Sequence, residues 1–373
     1  MQILTTYLND RILPLYVKSK TEDFVIVEDN SALSIWENCN RKFLYRVLLS
    51  LQEKDERVSL TFGVAFHKFL ELYHAGDFTF QECFEAFCTS AFKKNSKIAT
   101  TRQVALDNNL LQEYSAEFGY ILCKKYMQQH PLDKEYFTIL RDSENKPYTE
   151  TGFALDLPNG IVIGLIDGIG KINTTNKIVV IDHKTTKSQL NNSWKSSFNP
   201  NNQMSKYLSA ASEYFGQRIN TAIINGIRVK DYKRGDPKEN AEKLFDRVET
   251  ERTDAQLEQH MRHVNFQLGQ IKQSINIGVD GFPMETNSCN GKYGECEYKR
   301  LCLAKDDYVI QLLAEGSYRE EAWHPYEIFE ESETKKIVEI GIKDLGELLN
   351  KPKVELLDKE FYLKNKINVD DAQ

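Results

Sequence analysis

Residues 161–184 read IVIGLIDGIGKINTTNKIVVIDHK. Two apolar runs, 161–166 and 178–181, each lead into an aspartate, Asp167 and Asp182. Both runs are rich in Ile and Val, and Thr174-Thr175-Asn176 between them is turn chemistry, so the stretch predicts paired antiparallel strands. Side chains alternate across a strand, so Asp182 and Lys184 share one face with Cα atoms about 7 Å apart. Asp167 is expected near the far end of its strand, where a hairpin brings the two aspartates within reach of one cation.

Upstream, TGFALDL is a third strand, and Asn159-Gly160 is a strong hairpin-turn pair. A three-strand antiparallel meander is therefore predicted over roughly 150–184. Downstream come helical pattern over 200–216, a strand over 221–229, a highly charged stretch at 230–252 read as a loop or exposed flap, and a long helix over about 253–276. A Cys-rich segment at 289–302 follows. Before the meander, residues 31–50 read as one helix with Ser31 or Ser34 as N-cap. Residues 60–75 repeat that pattern, and 78–130 predict further helices. The fold class expected is α/β, with a mixed central sheet flanked by helices. Its predicted parts are an N-terminal extension (1–30), a core domain (31–305) with a helical insertion at about 76–145, and a C-terminal extension (306–373) whose role the sequence leaves open.

The chain has 373 residues, 41% of them hydrophobic and 28% charged, which suits a globular protein with a sizeable core. No run approaches the roughly 20 apolar residues of a membrane span. The start lacks a basic segment followed by a long apolar run, so no secretory signal is read and a cytoplasmic setting is expected. The net charge of −7 counts against a protein that coats nucleic acid non-specifically, but leaves room for a local basic groove.

Carboxylates such as Asp167 and Asp182 suit hard divalent cations, Mg²⁺ or Mn²⁺, which hold water that a phosphate can replace. Such a metal polarises a phosphoryl oxygen, and Lys184 is placed to orient water or stabilise developing charge. A D-x-K triplet read alone is equally a strand end facing solvent.

Read together, these residues resemble a known family. Gly164-Leu165-Ile166-Asp167 and Val180-Ile181-Asp182-His183-Lys184-Thr185 resemble the active-site hairpin of RecB-type nucleases in the PD-(D/E)xK superfamily. Gly63-Val64-Ala65-Phe66-His67 resembles the family's G-x-x-x-H helix motif, and Gln203-Met204-Ser205-Lys206-Tyr207 its Q-x-x-x-Y motif. Glu150 stands where many members carry an acidic residue. The resemblance spans about 31–305. It implies a restriction-endonuclease-like core with Asp167, Asp182, Lys184, His67, Gln203 and Tyr207 in catalysis, and His67, Asp167 and Asp182 on the metal. Glu71, four residues after His67, shares its helix face and is a possible accessory with Glu150. Taken singly, each of these is also an ordinary polar position on a helix or strand. The implied activity is metal-dependent hydrolysis of DNA, as an exonuclease on single strands or free ends. A helicase or recombination partner on a separate chain and a bacterial or phage-infected host cytoplasm fit the same family. The rival readings are a catalytically silent nucleic-acid-binding module and a hydrolase of another phosphate ester.

Cys39 stands alone near the N-terminus, while Cys289, Cys296 and Cys302 crowd one segment. A subset of these nucleases, including AddB-like and CRISPR-adaptation members, holds a [4Fe–4S] cluster with one early and three late cysteines. The resemblance implies that ligand set here. The C-x6-C spacing from Cys289 is longer than the usual C-x2-C. Thiolates also suit a structural Zn²⁺. Cys83, Cys88 and Cys123 fall in apolar helical pattern and read as core.

Overall fold

The structure, a computed structural model, describes residues 26–53, 58–94, 116–230, 243–291, 294–304, 316–320 and 337–340. Most of the two expected extensions and the centre of the expected flap lie outside the described residues.

The chain enters through a short strand, β1 (Ile26–Glu28), and a helix, α1 (Asn30–Asn38). Asp29 caps α1 by accepting the Ala32 N–H at 2.7 Å. The single helix expected over 31–50 is broken at Cys39, whose backbone is extended, before α2 (Asn40–Phe43) and a π turn at Leu44–Leu48. The reason is tertiary: the Arg41 N–H, which a continuous helix would have bonded to the carbonyl four residues back, donates to Pro283 O at 3.1 Å, and the Arg41 side chain adds an Nε bond to Phe282 O at 2.7 Å.

A short strand, β2 (Leu51–Glu53), precedes three helices, α3 (Val58–Ala75), α4 (Phe80–Lys94) and α5 (Ala116–Gln129). Their shared core is aromatic. Phe62, Phe66, Phe69, Phe87 and Tyr126 are all fully buried there. Burying one such side chain stabilises by about 1.5–3 kcal/mol, so packing rather than helix propensity fixes α3.

Next come β3 (Phe137–Ile139) and the predicted meander, β4 (Thr149–Leu157), β5 (Gly160–Ile172) and β6 (Ile178–Thr186). A short helix, α6 (Asn192–Ser196), and then α7 (Asn202–Phe215) cross to β7 (Thr221–Arg228), which lies parallel to β6. Asn201 caps α7 at its start, and Gly216, at φ +59°, ends it.

Part of the stretch read as a charged loop is a strand. β8 (Phe245–Glu251) pairs antiparallel with β7. Its charges hid the alternation because they are paired: Asp246 with Lys195, Arg247 with Glu135, Glu251 with Lys177. The long helix α8 (Asp254–Ile277) opens on a capping box of Thr253 and Gln256. A tiny hairpin, β9 (Asn290–Gly291) with β10 (Gly294–Glu295), leads to α9 (Lys299–Cys302). Within the expected extensions, β1 joins β5 in parallel, β11 (Tyr318–Glu320) pairs with β2, and β12 (Ile337–Ile340) pairs with β4.

The described strands form a mixed sheet in the order β12-β4-β5-β6-β7-β8, with β1 and β3 also on β5. One core joins α1, α7 and α8 to the sheet through Phe153, Val162, Val180 and Ile224; the other joins α3, α4 and α5 to Ile227 and Phe245. This is the mixed α/β sheet flanked by helices that the sequence predicted.

Candidate active site

The centre of the sheet opens at one row of residues. The β4–β5 ladder pairs Thr149 with Gly168 and Thr151 with Ile166, but skips the position where Glu150 faces Asp167. The β5–β6 ladder begins at Gly168–Ile181, one residue short of the place where Asp167 faces Asp182. Three carboxylates on adjacent strands therefore line up where the backbone pairing lets go. Asp167 Oδ2 takes up the His183 N–H at 2.6 Å. Asp167 thus lies within the 13-residue strand β5, not near its end. Glu150 adopts φ +44°, a left-handed conformation unfavourable to a glutamate.

Helix α3 supplies His67, whose Nδ1 is 3.4 Å from Asp167 Oδ2. Gly63, one turn earlier, lets α3 approach β6 closely, since a Cβ there would stand 2.8 Å from Thr185 Oγ1. His67, Glu150 and Asp167 each offer a ligand atom, all within 4.8 Å of one another. Asp182 stands beside this trio, fully buried. Lys184 Nζ hydrogen-bonds Asp182 Oδ1 at 2.9 Å and lies 2.9 Å from Oδ2, which is buried without a hydrogen-bond donor. One imidazole and two converging carboxylates, with the Lys184-paired Asp182 beside them, fit a hard divalent cation.

Helix α7 brings the remaining pair. Gln203 Nε2 donates to Tyr207 OH at 2.8 Å, and Tyr207 packs against Gly164, where a Cβ would meet its ring at 3.4 Å. Glu71 accepts from Lys68 at 2.7 Å and is buried outside the His67–Glu150–Asp167 group.

The charges divide cleanly. Burial would raise the Asp167 carboxyl, but His67, His183 and Lys184 hold it well below the usual range. Burial pushes Asp182 up, with Asp167 adding to the rise and Lys184 opposing it. Burial alone would lower His67, yet Asp167 and Glu150 outweigh that and raise it. Lys184 is likewise held charged by Asp182 and Asp167 against its own desolvation. Burial and both aspartates push the Tyr207 phenol up, so it remains a proton donor at neutral pH.

Behind the site lies a polar network that the sequence reading missed. Asn225 Nδ2 donates to Tyr126 OH at 2.8 Å and lies 3.0 Å from His183 Nδ1. His74 Nε2 meets the same Tyr126 hydroxyl at 2.9 Å, and its ring stacks on His183. Arg247 Nε donates to Asn225 Oδ1 at 3.2 Å, and its guanidinium pairs with Glu135. The network fixes the middle residue of the D-H-K triplet from behind. Its sequence signal was weak because its members are scattered over five elements, α3, α5, β6, β7 and β8, with Glu135 before β3.

The four expected cluster cysteines converge at the other end of α1. Cys39 is buried at the helix break and its Sγ accepts the Glu285 N–H at 3.5 Å. Cys296 N–H donates to Cys289 O at 2.9 Å. Burial pushes the Cys302 thiol to about 11, opposed by Arg41, with Cys39, Cys296 and Cys289 close enough to add to the rise. Cys83 and Cys123 are fully buried and Cys88 partly so, in the aromatic core.

Comparison with known proteins gives one family match. The profile of the PD-(D/E)XK nuclease superfamily matches residues 30–303. No curated protein matches the sequence significantly. Among solved structures, a crystal structure at 2.19 Å of a Eubacterium rectale protein, provisionally described as an exonuclease, is similar with a TM-score of 0.43 and 12% identity. The alignment covers 74% of this chain and 89% of that one. The family match runs from the first residue of α1 to just past the last cysteine, enclosing the meander and every residue gathered at the opened row, and on that extent the chain belongs to the PD-(D/E)XK nuclease superfamily.

Proposed function

We propose that the chain is a metal-dependent deoxyribonuclease, acting as an exonuclease on single strands or DNA ends. The observation that carries the metal site is the row of Glu150, Asp167 and Asp182 on three adjacent strands, with His67 above it and Lys184 beside it. His67, Glu150 and Asp167, with Asp182 next to them, would hold Mg²⁺ or Mn²⁺, which polarises a phosphoryl oxygen and acidifies bound water. Lys184, kept charged by the aspartates, stabilises negative charge developing on the phosphate. Tyr207, neutral and fixed by Gln203, donates a hydrogen bond to the same group. The network through His183, Asn225 and Arg247 holds β6 in register during the reaction.

The test is cleavage of single- and double-stranded DNA with and without EDTA, with Lys184→Ala as control. Cutting is expected with Mg²⁺ or Mn²⁺, with binding but little cutting in Ca²⁺, whose looser geometry positions water poorly. Lys184→Ala should lower the rate by about 10²–10³ while the fold persists. Cleavage in excess EDTA, or full activity of Lys184→Ala, refutes the assignment. Binding without cutting would mark a silent module, and turnover only of small phosphate esters a different hydrolase.

The same reading includes a [4Fe–4S] cluster on Cys39, Cys289, Cys296 and Cys302, supported by their convergence. Lys42–Glu297 at 3.0 Å and Ser288 Oγ to Asn38 O at 2.7 Å already tie the two segments together. Protein purified without oxygen is expected to be brown with about four irons per chain. Cys39→Ala should lose the iron and Cys123→Ala should keep it. Stoichiometric zinc would make the site a zinc staple, and absence of metal leaves four thiols. A cytoplasmic location and a separate helicase or recombination partner belong to this proposal as well.

A further inference from the structure

A cavity of about 280 Å³ opens between one face of α1, along its length, and the N-terminal end of α7, lined among others by Asn30, Ser34, Glu37, Asn202, Gln203 and Lys206. It is polar almost throughout, and that alone would not distinguish it from a solvated cleft. Lys206 does. Its side chain is 1% exposed, yet it lines the cavity, and among the described residues no hydrogen bond or ion pair reaches its ammonium. An ammonium with no hydrogen-bond partner of its own, facing a cavity, is answered best by an acceptor placed in that cavity.

The opposite wall is acidic. Glu37 accepts from Asn202 Nδ2 at 2.9 and 3.1 Å and from Gln267 Nε2 at 2.9 Å. A carboxylate has about four acceptor positions, so with these three filled and His263 Nε2 4.0 Å from Oε1, Glu37, which lines the cavity, keeps about one. Asp29, capping α1, is close enough to Lys206 to act on its charge. Burial lowers the Lys206 ammonium to about 8, with Glu37 and Asp29 opposing that fall, so at neutral pH it is a donor.

This pairing selects the ligand. A phosphate would gain Lys206 but meet Glu37 and Asp29. An apolar group would leave both charges unanswered. A base edge carrying an acceptor beside donors answers each. Guanine suits best, because its O6 accepts from the ammonium, its N1–H takes the acceptor position left on Glu37, and its N2 amino group has the amide oxygens of Asn30 and Asn202 in the cavity lining. Amides of Asn30 and Asn202 add adaptable partners. Base edges are free for such contacts only in an unpaired strand.

Position links the cavity to the site. Gln203 lines it and also donates to Tyr207, while Lys206 follows three residues later on the same helix face. We propose that the cavity is a base-reading subsite that takes a guanine next to the phosphate being cut. The inference rests on the nuclease reading above and adds a sequence preference to it.

The test uses the full chain with Mn²⁺ and single-stranded oligo(dT) carrying one dG, dA, dC or abasic residue, with products mapped by position. Cutting is expected at a fixed offset from dG, about tenfold over dA or dC, within the discrimination of a good base contact. Glu37→Gln should erase that preference while oligo(dT) is still cut. Lys206→Met should do the same, and the isosteric Glu37→Gln guards against a folding defect in the lysine variant. Uniform cutting around every base overturns the subsite and leaves the nuclease reading intact. Equal cutting at dG and the abasic residue, with loss at a methylphosphonate, would make the cavity a phosphate site and overturn the base reading. If no oligonucleotide is cut, the nuclease reading fails, and anisotropy in Ca²⁺ still decides the subsite. Tighter binding of the dG strand, lost in Glu37→Gln, supports it; equal binding of all four overturns it.

Discussion

At the scale of single residues, Glu150 stands apart by its backbone, at φ +44°. A left-handed backbone costs an L residue about 1–2 kcal/mol, and nothing in the register of β4 requires one there. The conformation instead lets Glu150 converge with His67 and Asp167. Strain at a position that gathers charged groups is what a function-first site produces. Glu150→Gly should therefore match or exceed the wild type in thermal stability, because relief of strain offsets the roughly 0.5–1 kcal/mol of extra chain entropy. Glu150→Ala keeps the strain and should melt below the glycine variant. Both should lose activity by about 10²-fold or more. A glycine variant that melts below the alanine variant would mean that φ +44° carries no strain.

At the scale of elements, the contact of α3 with β6 sets the distance between His67 and the D-H-K strand. Gly63 makes the approach possible, and Thr185 Oγ1 is the atom in the way of any side chain there. Gly63→Ala should push the helix off and reduce activity, although alanine favours a helix by about 1 kcal/mol. Adding Thr185→Ala removes the obstruction. The double variant should recover activity and melt above Gly63→Ala alone. Additive losses in the two single variants would place the close contact elsewhere. The elements were legible in the sequence wherever apolar periodicity was uninterrupted, as in the meander, α7 and α8. They were not legible where tertiary contacts overrode local pattern. Cys39 broke a helix because Arg41 turned to Phe282 and Pro283, and β8 hid its alternation behind charges that the fold pairs. The site followed the same rule. Asp167, Asp182 and Lys184 were visible as a motif. Asn225, Tyr126 and Arg247 were not, because only the packing of α5 against β7 and β8 brings them together.

At the scale of the whole molecule, buried histidines tie stability to pH. His74 sits among aromatic rings, and burial lowers it to about 3, helped by Arg247 and His130. Burial also lowers His130 and His260 to about 4. All three are neutral when folded and take up a proton near the ordinary 6.5 when unfolded. The unfolded chain therefore binds more protons between about 6.5 and 4. Their stabilisation is complete above 6.5 and is lost as pH falls through that window, at about 1.4 kcal/mol per pH unit for each proton. His67 works the other way, since its folded value is raised and protonation favours the native state. His183 is lowered by burial as well, but Asp182, Glu28 and Asp29 are raised by burial and oppose the histidines together with His67, so the sign is read most directly at a single histidine. His260 gives a direct test, because burial is the first cause of its lowering and its Nε2 is buried without a hydrogen-bond partner. Urea unfolding of the wild type and of His260→Leu is compared at pH 7, 5.5 and 4.5. His260→Leu should fall less steeply, by about one proton's slope, so that the two curves converge toward low pH. Parallel curves would show that His260 is as easily protonated folded as unfolded, and that the acid sensitivity of the molecule lies elsewhere.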